Sequence, residues 1–218
     1  MAEHLLRTHR LEDHRAAFAA LSEELAGAGV DLAVELLPMT TAVDLRVDPA
    51  EVTTPALVGV LSRTPVGTVG GALPTRPNTW TGLAGPAGDG RACWLGPDEW
   101  LLVGDGLPAE EDLRATGASA VDVSAQRTGV RLRGAGARAL LAHDCALDLR
   151  PASFPPGTCA QTLLGQAGVL LVAHHTDEDG IDVHVRSSFA GYVADLLLDA
   201  AEEFRTGMLH TEILGDAA

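Results

Sequence analysis

Apolar residues recur at helical spacing over residues 10–27, where Leu11, Phe18, Leu21 and Leu25 share a face and Gly27 and Gly29 mark the stop. The period then shortens to two. Residues 32–37 and 42–47 read as strands, the second alternating as Val43-Asp44-Leu45-Arg46-Val47. Residues 62–91 are crowded with Gly, Pro, Thr and Asn, a loop composition around one ordered piece, Leu73-Pro74-Thr75-Arg76-Pro77-Asn78-Thr79-Trp80. A hairpin follows. Cys93-Trp94-Leu95 and Trp100-Leu101-Leu102-Val103 flank Gly96-Pro97-Asp98-Glu99, where proline presets φ and aspartate suits a tight turn. Pairing Leu95 with Trp100 puts Trp94 opposite Leu101 on the other face. Both faces are then apolar, and the hairpin must be sandwiched or meet a partner.

Residues 110–116 form a short helix and 120–123 a strand. Residues 128–133 alternate cleanly, and 135–142 form a second short helix. A Pro-rich crossing loop, Cys145 to Gly157, leads to strands at 158–164 and 168–173. Residues 180–185 alternate again, with Ile181, Val183 and Val185 on one face. The strongest helical signal spans 188–204, where Phe189, Tyr192, Val193, Leu196, Leu197, Ala201 and Phe204 form an apolar stripe and Ser187 or Ser188 supplies the N-cap. Strands and short helices mix without strict alternation. The expected fold class is α+β, with two closely packed split α/β halves and mainly antiparallel sheets. The expected organisation is an N-terminal helical extension over 1–30, a main domain over 31–208 with halves dividing near 120, and a tail over 209–218.

Composition narrows the partners. The 218 residues are 46% hydrophobic and 21% charged, with a net charge of −15. Such acidity disfavours nucleic acid and anionic lipid, which attract basic surfaces. All 15 basic residues are arginine, so lysine Schiff-base chemistry is excluded. No run approaches a membrane span, and the charged N-terminus lacks the apolar centre of a signal peptide, so a cytoplasmic location is expected. The three cysteines, Cys93, Cys145 and Cys159, match no zinc or thioredoxin spacing, and reduced thiols are expected.

Four clusters could carry chemistry. His174-His175-Thr176-Asp177-Glu178-Asp179 is the most metal-like, yet adjacent histidines on a strand point to opposite faces, and an acidic run before Gly180 also describes a solvated turn. His143-Asp144-Cys145 sets a base beside a nucleophile, but neighbouring side chains seldom converge. Asp98 and Glu99 are consecutive turn carboxylates expected to diverge. Gly134-Ala135-Gly136 follows a strand and opens a helix, the context of a phosphate site, without the third glycine of a dinucleotide fingerprint. In each, the structural reading outweighs the chemical one. No catalytic, cofactor-binding or metal residue is assigned.

Five collinear stretches resemble the gamma subunit family of heterotetrameric sarcosine oxidase. They are Leu73 to Thr79; Trp94-Leu95-Gly96-Pro97-Asp98-Glu99-Trp100-Leu101; Val121-Asp122-Val123-Ser124-Ala125-Gln126-Arg127-Thr128 running into Arg131-Leu132-Arg133-Gly134 and Ala137-Arg138; Leu147-Asp148-Leu149 with Phe154 to Thr162; and Val185-Arg186-Ser187-Ser188-Phe189-Ala190-Gly191-Tyr192. The resemblance implies an aminomethyltransferase-like, folate-binding fold. It also implies an accessory, non-catalytic place in an oxidoreductase complex of sarcosine catabolism and one-carbon metabolism. That complex demethylates sarcosine to glycine, forms hydrogen peroxide, and passes the one-carbon unit to tetrahydrofolate or releases it as formaldehyde. FAD, FMN, NAD and tetrahydrofolate are expected in the alpha, beta and delta partner subunits, none in this chain.

Working aminomethyltransferases carry a carboxylate on the strand after the crossing loop. Here Gly157-Thr158-Cys159-Ala160-Gln161-Thr162 has none, and neutral side chains cannot stabilise an iminium as a carboxylate does. Asp182 is acidic nearby but reads equally as a solvent-facing strand residue. Trp94, Trp100, Phe189 and Arg186 are the expected contacts to the large subunit, since interfaces concentrate Trp and Arg. Internal packing is the competing role for each. The alternatives are a stand-alone folate-binding protein of one-carbon or iron–sulfur metabolism, and a metal- or thiol-dependent hydrolase using His174, His175 and Cys145.

Overall fold

Side-chain alternation along ten strands decides what each face of the protein's two sheets meets. The computed structural model describes residues 9–62, 72–83, 90–174 and 180–205. In chain order the strands are β1 (Ala33–Leu36), β2 (Thr41–Arg46), β3 (Trp80–Leu83), β4 (Gly90–Gly96), β5 (Glu99–Gly104), β6 (Ser119–Asp122), β7 (Arg127–Arg133), β8 (Cys159–Leu164), β9 (Ala167–Ala173) and β10 (Ile181–Arg186). The helices are α1 (Arg15–Gly27), α2 (Pro55–Leu61), α3 (Glu110–Arg114), α4 (Ala137–Ala142) and α5 (Ala190–Arg205). One antiparallel sheet has the order β1-β7-β10-β9-β8 and the other β3-β4-β5-β2-β6.

Each sheet buries both faces. On β10, Ile181, Val183 and Val185 join a core with Phe18 and Leu21 of α1, Leu140 of α4, and Val193 and Leu197 of α5. On β5, Trp100 and Leu102 join Leu57 and Leu61 of α2 and Leu113 of α3. The intervening strand positions point the other way, and the two sheets face each other across a thin apolar layer. Trp80, Cys93, Leu101, Cys159, Leu170 and Val172 build it. The result is helices, sheet, sheet, helices, an α+β sandwich of the expected class.

The chain crosses between the sheets twice, from Leu36 to Thr41 and from Asp122 to Arg127. The N-terminal segment does not behave as an appendage, because Leu11, Phe18, Leu21 and Leu25 are each at most 1% exposed in the first sheet's core. Residues 1–8 and 206–218 lie outside the described residues, as do 63–71 and 84–89 of the expected loop.

Several local expectations need correcting. Helix α2 is an element the sequence expectations did not include, although Pro55 sits in its first turn and Leu57, Val60 and Leu61 repeat at helical spacing. Strand β3 emerges from the expected loop. The hairpin register shifts by one: Trp94 pairs with Trp100 and Cys93 with Leu101, with an irregularity between Trp94 and Gly96. Leu95 is the extra, bulged residue that the Gly96–Glu99 turn forces on the strand. The hairpin is sandwiched, with Trp100 and Leu102 on one side and Cys93 and Leu101 on the other. No serine caps α5. The Ser187 hydroxyl donates to the Ala125 carbonyl at 2.9 Å, and a 3₁₀ turn, Ser187–Phe189, precedes the helix. That tighter turn breaks the phase of the stripe, leaving Phe189 42% and Tyr192 41% exposed.

Trp100 is 1% exposed, and its indole Nε1 donates to the Pro74 carbonyl at 2.8 Å. Trp100→Ala is expected to cost about 3–5 kcal/mol of unfolding free energy in urea. The exposed control Phe189→Ala is expected to stay below about 1 kcal/mol.

Candidate functional site between the two sheets

The inward positions of β7 and β10 carry charge where apolar packing would be cheaper. Asp182 and Arg131 are cross-strand partners, and so are His184 and Gly129, and Arg186 and Arg127. All project toward the second sheet. Asp182 is 1% exposed, so the expected solvent-facing role is wrong: alternation shows that a face differs from its opposite, not that it meets water. Arg131 grips the carboxylate with two bonds, Nε to Oδ1 at 2.6 Å and Nη2 to Oδ2 at 2.9 Å. Arg91 of β4 reaches across from the other sheet, Nη1 to Oδ2 at 2.7 Å. His174 Nε2 stands 2.9 Å from the same oxygen. The Arg91 guanidinium also lies 5.3 Å over the Trp80 ring, whose Nε1 donates to the Ala173 carbonyl at 2.7 Å.

Burial alone would raise the Asp182 carboxyl, but His174 and Arg131 beside it outweigh that and hold it well below the usual carboxylate range. The group is therefore a fixed anion at neutral pH. A carboxylate already engaged by two guanidiniums is a poor proton acceptor.

A cavity of about 450 Å³ opens beside this cluster, with Leu37, Leu101 and Val103 on its apolar side and Arg127, Asp182 and His184 on its polar side. Burial first, then Arg91, Arg127 and Arg131, push His184 down to about 4 against the pull of Asp182, leaving a neutral imidazole. His9 seals one wall. It accepts from the Leu11 amide at Nδ1 (3.1 Å), so Nε2 is the protonated nitrogen that donates to the Leu37 carbonyl at 3.0 Å.

All three thiols are buried. The hydrogen bond shared by Cys93 and Cys159 pushes Cys93, helped by burial, well up and pulls Cys159 down, and both lie in the apolar layer between the sheets. Cys145 is buried, with Thr162 Oγ1 3.9 Å away. His143 instead faces Glu203 at 3.5 Å, so that triplet does not converge. The amides of Ala135 and Gly136 are taken by Asp31 Oδ2 and its carbonyl, both at 2.9 Å, which makes the glycine turn a helix start. Asp98 and Glu99, expected to diverge, both reach Arg46, at 3.5 and 2.7 Å, on the surface. His175 to Asp179 lie outside the described residues, and His174 is occupied by Asp182. Among the described residues no group of three metal-capable side chains assembles.

The suggested contact residues scatter. Trp94 is half-buried and Trp100 fully buried in the second sheet's core, so Trp100 has no surface to present. Arg186 is exposed, as is Phe189, whose ring meets Tyr192 at 6.5 Å. Between Gly157 and Thr162, the Thr158 hydroxyl donates to the Pro155 carbonyl and Gln161 Nε2 to the Leu95 carbonyl at 3.0 Å. Reasoning from sequence missed Arg91, Arg127, Arg131 and His184. The available signal was a polar residue at every second position of two strands with apolar opposite faces.

Two facing split sheets with outer helices define an aminomethyltransferase-like protein. Glycine cleavage system aminomethyltransferase T from Bartonella henselae shares the fold, with a TM-score of 0.50 over 82% of this chain and 48% of that one at 14% identity. The family described as sarcosine oxidase, gamma subunit, matches residues 72–203, and the chain belongs to it. Sarcosine oxidase subunit gamma from Corynebacterium sp. strain U-96 is 33% identical over 56% of this chain and 61% of its own length. That from Arthrobacter sp. is 34% identical over 56% and 62%. The match thus spans less than two thirds of these curated relatives. Structurally, a chain of heterotetrameric sarcosine oxidase from Corynebacterium sp. U-96, solved in complex with pyrrole 2-carboxylate, superposes over 91% of this chain and 96% of its own. Its TM-score is 0.73 and its identity 26%. Among the described residues no helix is long and apolar enough to cross a membrane.

Asp182→Asn takes the charge from a buried carboxylate answered by Arg91, Arg131 and His174, and is expected to destabilise the chain by about 3–5 kcal/mol in urea titrations. The neutral His184 sets an acid limb. Between pH 6.5 and about 4 the unfolded chain takes up a proton that the folded chain refuses, so stability falls as pH drops. The loss reaches about 3 kcal/mol at the lower end. Unfolding curves of His184→Gln are expected to be correspondingly flatter across that window.

Proposed function

We propose that this chain is a non-catalytic gamma subunit of a heterotetrameric sarcosine oxidase and contributes by assembly with alpha, beta and delta subunits. The observation that carries this reading is the state of Asp182. The acidic side chain at the heart of the inter-sheet site is locked by Arg91, Arg131 and His174, and the segment from Gly157 to Thr162 supplies no replacement. The residues present do not fit a folate-dependent proton transfer, so the chemistry of sarcosine demethylation falls to the partners. FAD, FMN, NAD and tetrahydrofolate belong there in this reading. The partners yield glycine, hydrogen peroxide and either formaldehyde or methylenetetrahydrofolate.

The docking surface we assign includes Phe189 and Tyr192 at the start of α5, with Arg186 beside them. Two adjacent exposed aromatic rings and an exposed guanidinium are the side chains interfaces favour. Trp94 adds at most its accessible edge.

Co-expression with the companion subunits is expected to give a yellow complex retaining this chain through gel filtration, whereas the chain alone is colourless. A Phe189→Ser/Tyr192→Ser double variant is expected to reduce its recovery in the complex at least about tenfold. Recovery of a fully active flavoenzyme without this chain would overturn the reading.

A further inference from the structure

The inter-sheet cavity holds charge that the Asp182 cluster does not consume. Arg10, Arg91, Arg127 and Arg131 line it against Asp105 and Asp182, making it positive within a chain of net charge −15. Arg91 and Arg131 are committed to Asp182. Arg127 is not. Its Nε is buried without a partner, and no carboxylate among the described residues lies within ion-pair distance of its guanidinium. Burial and the nearby Arg186 lower its proton affinity, and the more distant carboxylates of Asp44 and Glu99 offset this only in part.

His184 stands two positions along the same face in the cross-strand register. It is 8% exposed, lines the cavity, and its Nε2 has no partner among the described residues. Its cross-strand neighbour must be glycine: a Cβ at Gly129 would lie 2.3 Å from the Val183 carbonyl oxygen and 2.9 Å from Leu37 Cδ1. That glycine lets the β7 and β10 backbones approach closely beside the imidazole. A buried imidazole nitrogen and the buried Nε of a half-buried guanidinium, both unmatched and both bordering one cavity, are costly unless something answers them.

We propose that this cavity binds a small organic carboxylate, held at its charged end by Arg127 and His184 and along its body by Leu37, Leu101 and Val103. A guanidinium fork matches the two oxygens of a carboxylate, and a neutral imidazole adds a donor without further charge. Of the two lining cations not paired with Asp182, Arg10 is exposed and Arg127 is half-buried, so the single charge at Arg127 suits a monoanion. The volume of about 450 Å³ admits a ring-sized body next to the apolar wall.

The test is calorimetric titration of the full-length chain with benzoate, followed by spectra of the His184 ring protons. Saturable binding that shifts those resonances is expected. Arg127→Met is expected to weaken binding about tenfold or more, with Arg127→Lys intermediate. His184→Gln is a second, independent variant expected to weaken it several-fold, and circular dichroism confirms that each is folded. Absence of saturable binding to the folded chain, or binding indifferent to both positions, overturns the proposal. Tighter binding of inorganic phosphate than of benzoate overturns the assignment to a carboxylate.

Discussion

A carboxylate taken out of water between two sheets must be protonated or matched by charge, and Asp182 is matched from both sides at once. Arg131 supplies a fork from the neighbouring strand of its own sheet, while Arg91 arrives from the opposite sheet. Apolar contact alone leaves two sheets free to slide, because dispersion is nearly indifferent to small shifts in register. A short, directional ion pair is not. The bond between β4 and β10 therefore sets how the two halves lie against each other, with Trp80 packed beneath the Arg91 guanidinium. The cavity and the buried imidazole both follow from that spacing.

The same bond holds the carboxylate between the sheets of this aminomethyltransferase-like fold as a fixed anion. The inter-sheet face is specified by charge, and the Asp182 carboxylate is answered there by two guanidiniums. What would be a reactive group in a looser setting becomes a structural tie. This supports a subunit that works through its surface.

Much of the framework was legible from the chain itself. The stripe Leu11, Phe18, Leu21 and Leu25 and the alternation of Ile181, Val183 and Val185 mark faces that bury against each other, because local periodicity reports a face directly. The site was not legible, for a physical reason. Asp182, His184, Arg127 and Arg131 obey the same two-residue period as a solvated strand, and only the arrival of the second sheet turns their side into an interior. Trp100 misled in the opposite sense, since an aromatic residue suited to an interface suits a core equally well. The hairpin slip at Leu95 shows the limit of turn rules. A single bulged residue satisfies the turn and both apolar faces, and composition does not reveal it.

The placement of β1 has a kinetic corollary. Ala33 pairs in register with Arg133, so β1 finds its neighbour β7 only after the strands of the whole second sheet have been synthesised. Until then the oily stripe of α1, Phe18 and Leu21 among it, has no sheet to cover. The nascent chain must shelter or tolerate that surface, and loop closure over such a separation is slow. The vulnerable moment of this protein is thus in translation, before its opening helix has anything to lean on.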